Sequence, residues 1–289
     1  MRLPNKSKVL PRLAGVIALG CVLFAPLTAQ TIVYSGFAST SGLRLNGTSV
    51  ATSTDDGTVL RLVPASVTHA GSAFTTTQVS FTGFSTAFEF RLSAPGGSSD
   101  GEQTGADGLT FVLQTAAASS VGATGLGLGY QGISPSVAVE FDTFKNGSPV
   151  SDLSTNHVGI NTGGSVTSLA AANVETRFDN GDKWTAWVDY NNNTHTLEVR
   201  VSDNGVRPGS PLLSQSINIA STLDSGTAYI GFTAATGGAY ANHDVLNWTF
   251  SPSFVSGGVS AVPEPGTTAL LGLGVILVLG GRRLFRRAP

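Results

Sequence analysis

From Thr31 to about Ser253 the chain alternates apolar and polar residues in short runs, with Val, Ile, Thr and aromatic residues on the apolar positions. Ten runs read as strands: 58–63, 78–81, 85–92, 109–113, 137–143, 157–161, 184–190, 196–201, 228–232 and 245–250. Clusters of Asp, Asn and Gly, such as 189–194 and 203–205, punctuate them as turns. No long amphipathic helix is legible outside the two ends. A repeat of two places alternate side chains on opposite faces of a strand, so these runs predict an all-β protein, two antiparallel sheets packed as a sandwich with the core between them. A length of 289 residues suits one large domain of this kind.

The ends have a different pattern. Arg2, Lys6, Lys8 and Arg12 precede an apolar run over 13–24 and small residues near Ala29, which predicts a signal peptide over 1–29. The only cysteine, Cys21, falls inside it, so the exported domain is expected over 30–255 without disulfides. Residues 256–289 read as a linker followed by Pro263-Glu264-Pro265, an apolar helix over 268–281, and Arg282, Arg283, Arg286 and Arg287. That order resembles the PEP-CTERM sorting signal of Gram-negative bacteria. The resemblance implies delivery across the inner membrane, transient residence there through the C-terminal helix, and recognition by an exosortase-type transpeptidase. The destination would be the cell envelope, cell surface or extracellular matrix. A plain tail anchor is the alternative. Of the 16 Lys and Arg, eight lie in these two ends, whereas 17 of the 18 acidic residues lie between Asp55 and Asp244. The body is therefore acidic and carries no basic stripe, which argues against a nucleic-acid partner.

Candidate chemistry concentrates in Val137-Ala-Val-Glu-Phe-Asp-Thr-Phe-Lys-Asn146 and just beyond. Glu140 and Asp142 share one face of a strand while Val139 and Phe141 take the other. Adjacent carboxylates on a partly buried face need a cation between them, or one must hold a proton. Asn146 adds an amide oxygen, Phe144 a backbone carbonyl, and Asp152 and His157 further donors. Oxygen donors alone suit Ca2+, and an imidazole among carboxylates suits Mn2+ or another divalent transition metal. A solvated acidic face followed by a polar turn is the plainer reading of the same residues.

Five runs occur together: Tyr34-Ser-Gly-Phe37 with Leu43-Arg-Leu-Asn-Gly47, Ala106-Asp-Gly-Leu-Thr-Phe-Val-Leu113, the 137–146 run, His157-Val-Gly-Ile-Asn161, and 229–248 with its Thr236-Gly-Gly-Ala-Tyr240 loop. In this order they resemble the legume-type (L-type) lectin family over nearly all of the exported domain. The resemblance implies a concanavalin-like jelly-roll sandwich that binds glycans beside a paired metal site. It would give Asp142, Asn146, Asp152 and the Phe144 carbonyl to calcium, and Glu140, Asp142, Asp152 and His157 to manganese. Asp142 and Asp152 stand further apart than their family counterparts, and no Trp-Asp-Pro occurs in the loop.

For sugar the resemblance implies Asp107 as hydroxyl acceptor after a cis Ala106–Asp107 peptide, Asn146, the Phe144 ring, and backbone amides of Gly125, Gly238 and Ala239. Tyr240 would line the rim or pack against Trp248. Plant relatives pair through a flat sheet, so a homo-oligomer is open. The implied function is calcium-dependent, non-catalytic binding of glycans or exopolysaccharide. Two rivals stand beside it. Laminarinase-like glycoside hydrolases share the sandwich and use Glu-x-Asp-x-x-Glu, but Lys145 occupies the third position and leaves no second carboxylate there. A structural matrix protein would keep the sandwich and lose the sugar.

Overall fold

The computed structural model describes residues 31–261. The signal peptide read over 1–29 and the apolar helix read over 268–281 lie outside these described residues.

In chain order the strands are β1 (Ile32–Tyr34), β2 (Leu43–Gly47), β3 (Val50–Thr54), β4 (Gly57–Val63), β5 (Ala70–Thr75), β6 (Val79–Ser80), β7 (Phe84–Gly97) and β8 (Gly108–Gln114). They continue as β9 (Ser136–Asp142), β10 (His157–Thr162), β11 (Ala170–Asn173), β12 (Trp184–Asn191), β13 (Thr196–Ser202), β14 (Leu213–Ser216), β15 (Thr227–Ala235) and β16 (Ala239–Ser251). One short helix, α1 (Ile219–Leu223), is capped by the Asn218 side chain. Each of the ten sequence-read runs contains a strand, the 78–81 run only the two residues of β6. The expected turn over 189–194 opens later, because β12 continues through Asn191.

Two eight-stranded antiparallel sheets face each other. The back sheet runs β14-β13-β12-β7-β16-β4-β3 with β1 beside β16, and the front sheet runs β11-β10-β9-β8-β15-β5-β2 with β6 beside β15. Alternation decides what each strand gives to the core. Leu109, Phe111 and Leu113 of β8, and Val137, Val139 and Phe141 of β9, point inward to meet Phe84, Phe88, Phe90 and Trp248 of the back sheet. Phe88 sits edge-on to Phe232 at 4.9 Å and to Phe141 at 5.7 Å, the offset geometry that aromatic quadrupoles favour. Fixing Phe141 inward obliges Glu140 and Asp142 to face outward, away from the back sheet. A second apolar layer of Phe74, Val112, Leu128, Tyr130 and Ala138 covers part of that outer front face.

Candidate functional site

Asp142 closes β9 between two neighbours, with Gly108 of β8 opposite it on one side and His157 of β10 on the other. The register therefore gathers the end of β9, the start of β10 and the peptide before β8 at one rim of the front sheet. Beyond Asp142 the chain turns back on itself. Asp142 Oδ1 accepts the Phe144 N–H at 2.7 Å, and Asp152 Oδ2 accepts the Asn146 N–H at 2.7 Å. The Asp152 N–H returns to the Asn146 carbonyl at 3.0 Å. These bonds close the lengthened loop so that Asp152 still meets Asp142 and His157, with one donor atom from each within 4.8 Å of the others.

Glu140 is buried beside this group. Its Oε1 lies 3.5 Å from His157 Nε2 and accepts Ser168 Oγ at 2.5 Å, while Oε2 accepts the Asn161 side-chain amide. Both carboxylate oxygens are thus oriented by the neighbouring strand and loop, as an outer hydrogen-bond layer orients a ligand. Gly159, opposite Glu140 in β10, leaves the room this needs: a Cβ there would stand 2.2 Å from both Glu140 Oε1 and Ser168 Oγ.

Arg177 holds the two ends of the loop. It pairs with buried Asp179 through Nε to Oδ1 at 2.7 Å and Nη2 to Oδ2 at 2.8 Å, and donates to the Thr143 carbonyl at 2.7 Å and the Thr155 carbonyl at 3.1 Å. Thr143 follows Asp142, and Thr155 lies two residues before His157.

The electrostatics of the cluster are lopsided. Burial, then the charges of Glu140, Asp152 and Asp107, push the Asp142 carboxyl well above the usual range, against the Phe144 N–H. Asp152 is raised by burial, and the Asn146 N–H, His157 and Lys145 counter this only in part. Such crowding of anions is relieved by a cation at their centre. The donor geometry fits one. Donors on a divalent ion lie about 2.0–2.6 Å from it, hence within roughly 5 Å of one another, and the Asp142, Asp152 and His157 atoms lie within 4.8 Å of one another. Asn146 Oδ1 is buried with no hydrogen-bond partner, as is His157 Nδ1. Unmet buried acceptors are costly in proteins unless something fills them.

Asp107 stands next to the loop that follows Asp142. The Ala106–Asp107 peptide is cis, the Asp107 N–H donates to Ala235 O at 3.1 Å, and its carbonyl accepts the Thr143 N–H at 2.9 Å. Asp107 is 4% exposed and its Oδ2 has no hydrogen-bond partner. Burial pushes its pKa up to about 7, the Gly237 amide opposes this, and the Asp152 charge reinforces it. Gly237 comes close from the far loop: a Cβ there would lie 3.4 Å from Asp107 Oδ2 and 3.2 Å from the Gly125 Cα. The Gly237 turn therefore sits between the Asp107 carboxylate and Gly125, while the loop after Asp142 is tied to the Asp107 backbone.

A family model for the legume lectin domain matches residues 29–261. The chain belongs to the legume lectin family. Among curated proteins, an L-type lectin-domain containing receptor kinase of Oryza sativa subsp. japonica is 31% identical over 81% of this chain and 37% of its own length. The L-type lectin-domain containing receptor kinase VIII.1 of Arabidopsis thaliana is 32% identical over 64% of this chain and 26% of its own. The chain thus spans about a third of the length of these relatives. Among solved structures, lectin I-B4 from Griffonia simplicifolia in a metal-free form is 26% identical, with a TM-score of 0.65 over 77% of this chain and 98% of that one. Basic winged bean lectin with Tn-antigen gives 25%, 0.64, 77% and 98%. The fold is the legume lectin jelly roll, and the class is that of carbohydrate-binding lectins. A PEP-CTERM protein-sorting motif matches residues 261–287, which marks the chain for export to the cell envelope.

Within this lectin the named residues gather unevenly. Phe144 and Asn146 lie half-buried in the loop between Asp142 and Asp152. Gly125, at φ +60°, reaches the Gly237 turn, but its N–H is engaged by Thr236 O at 3.1 Å, so it offers space there, not that amide. Gly238 is exposed and its carbonyl accepts the Ser98 N–H, and Ala239 is buried with its carbonyl on the Gly237 N–H. Tyr240 does not pack on Trp248. Its ring covers Gly96, across which a Cβ would stand 2.7 Å away, while Trp248 stacks on Tyr34. Sequence reasoning missed Gly237, Arg177, Asp179 and Ser168. Only Gly237 carried a signal, as the middle of Thr236-Gly-Gly-Ala.

Proposed function

We propose that this protein is an exported, calcium-dependent and non-catalytic glycan-binding lectin of the bacterial envelope or extracellular matrix, sorted by an exosortase-type enzyme. The observation that carries the reading is the partnerless, buried Asp107 Oδ2 between the metal loop and the Thr236–Ala239 turn. A carboxylate oxygen kept free at a rim accepts sugar hydroxyls, and such charge-assisted bonds are the strong ones. Calcium would be held by Asp142, Asn146, Asp152 and the Phe144 carbonyl. Glu140, Asp142, Asp152 and His157 offer the mixed donor set that a divalent transition ion prefers. Bound metal would neutralise the cluster and keep Asp107 ionised. The Phe144 ring supplies an apolar face for sugar CH groups, and Asn146 and amides near Gly238 and Ala239 supply polar contacts. Multivalent display on exopolysaccharide would raise a weak single-site affinity.

The test is binding of a fragment spanning 30–261 to a glycan array with calcium and with chelator, beside Asp107→Ala. Binding is expected only for the unaltered protein in calcium. Equal binding with chelator, or with Asp107→Ala, overturns the mechanism, and release of reducing sugar from a polysaccharide overturns the non-catalytic reading.

A further inference from the structure

The chain does not leave the sandwich when β16 ends. Residues 253–261 run back across the outer face of the back sheet. The Val255 N–H donates to Ser85 Oγ at 3.0 Å, and Phe254 packs beside Gly83 at the start of β7. A turn closed by the Gly258 N–H on Val255 O at 2.8 Å brings the backbone against Arg207. At Gly258, φ is +80° and a Cβ would stand 2.6 Å from Arg207 Nε, so the close approach needs glycine. Arg207 is in turn fixed to Asp189 of β12 at 2.7 Å. Ala261, with Val259 beside it, then lands on Trp187 and Ala87, forming a small apolar cluster separate from the main core. Trp187 is 4% exposed although Ala186 and Val188 on either side of it point into the core. It therefore faces outward, and the strap is what covers it.

Trp187 and Asp142 lie on the outer faces of opposite sheets. The sorting motif match begins at residue 261, the last described residue of the strap. We infer that residues 253–261 dock on the outer back sheet through Trp187, Ala87, Ser85 and Arg207, and so fix where the sorting segment leaves the domain. The segment departs from the side opposite the Asp107 rim, and a membrane or surface that holds it faces the back sheet. The sugar-facing half of this inference rests on the proposed function, whereas the docking does not.

The experiment uses residues 30–289, which lack the signal peptide and contain no cysteine, in phosphatidylcholine vesicles carrying a spin-labelled quencher lipid. A fluorophore is placed through Val206→Cys, beside Arg207 and 69% exposed, or through Lys145→Cys in the metal loop. Stronger quenching at 206 than at 145 is expected. Equal quenching at the two positions, none at either included, or stronger quenching at 145, overturns the orientation. Docking is read separately by hydrogen exchange of the same chain. The Val255 and Gly258 amides, which are hydrogen-bonded, should exchange at least about tenfold slower than in an unstructured peptide. Val259→Asp with Ala261→Asp should abolish that protection and leave β10 unchanged. Unstructured exchange rates in the parent chain overturn the docking, whatever the protein does with sugar.

Discussion

Arg177→Met tests whether the loop is held from behind. The substitution keeps length and apolar stem but removes both bonds to Asp179, whose side chain is 2% exposed, and the donors to the Thr143 and Thr155 carbonyls. Asp179 is left as a buried, unpaired carboxylate. Breaking a buried pair from one side costs about 3–5 kcal/mol. For a domain of this size each kcal/mol moves the melting temperature by about 2–4 °C, so a fall of roughly 6–20 °C is expected. Calcium affinity should weaken as well, by roughly 10–100-fold as for other residues that orient ligands without touching the ion. Thermal unfolding and calcium calorimetry on the 30–261 fragment read both effects. Arg177→Met with Asp179→Leu removes the stranded charge and should regain much of the stability but not the affinity, because the two carbonyls remain unheld. A single variant that melts within about 2 °C of the parent and binds calcium equally well refutes the reasoning.

The calcium reading makes a thermal prediction of its own. Saturation to a hundred times the dissociation constant adds about 2.7 kcal/mol, hence a rise of roughly 5–11 °C over the chelated protein, and an unchanged melting temperature would contradict it. In chelator, stability should fall as pH rises from about 4 to about 7. Asp107 moves from its ordinary 3.8 to about 7 on folding, and Asp142 and Asp152 shift the same way. The folded state then holds protons that the unfolded state has released. A melting temperature that climbs over that range in chelator would show the cluster to be neutralised already. Gly159→Ala should destabilise by about 1–3 kcal/mol through overpacking, because the new methyl would meet Glu140 Oε1 and Ser168 Oγ. Denaturant unfolding checks it, and a neutral result would mean that the Glu140 seat is loose.

The strands legible in the sequence are those whose inward residues are large. Phe88 and Phe90 of β7, Leu109 and Phe111 of β8, and Trp184 and Val188 of β12 fill the core and announce a period of two. β5, β11 and β14 escaped notice because AGSAFT, AAAN and LSQS carry mostly small or polar residues with weak strand preference, and β3 because VATST buries none of its residues and so shows no large inward face. Some of that smallness is required. A Cβ on Gly71 in β5 would lie 2.1 Å from the Leu62 carbonyl, so tertiary closeness chose the residue against local propensity. Within the site, the 137–146 run was legible because its donors are contiguous and obey strand alternation. Arg177 and Asp179 were not, because two charged residues separated by one position in a loop look like solvated surface until the fold buries them against Thr143 and Thr155. The bond from the Gly125 N–H to Thr236 O was not legible, since sequence does not tell which acceptor an N–H will find.

If calcium and sugar bind as proposed, the bonding around Asp107 would make them a coupled pair. One end of its peptide is tied to the residue after Asp142, by the Thr143 N–H on Asp107 O at 2.9 Å. The other end is tied to Ala235, next to Thr236, whose carbonyl holds the Gly125 N–H and whose hydroxyl donates to Ser66 O. The 142–152 loop, the carboxylate and the glycine turn therefore share one hydrogen-bonded frame, and an ion on Asp142 would act on the proposed sugar rim through backbone without touching the sugar. Coupling of this kind is reciprocal: if calcium raises affinity for a glycan by some factor, saturating glycan must raise affinity for calcium by the same factor. Titrating calcium with and without a bound oligosaccharide measures both arms. A glycan that needs calcium yet leaves the calcium isotherm unmoved would break the cycle and would place the sugar somewhere other than Asp107.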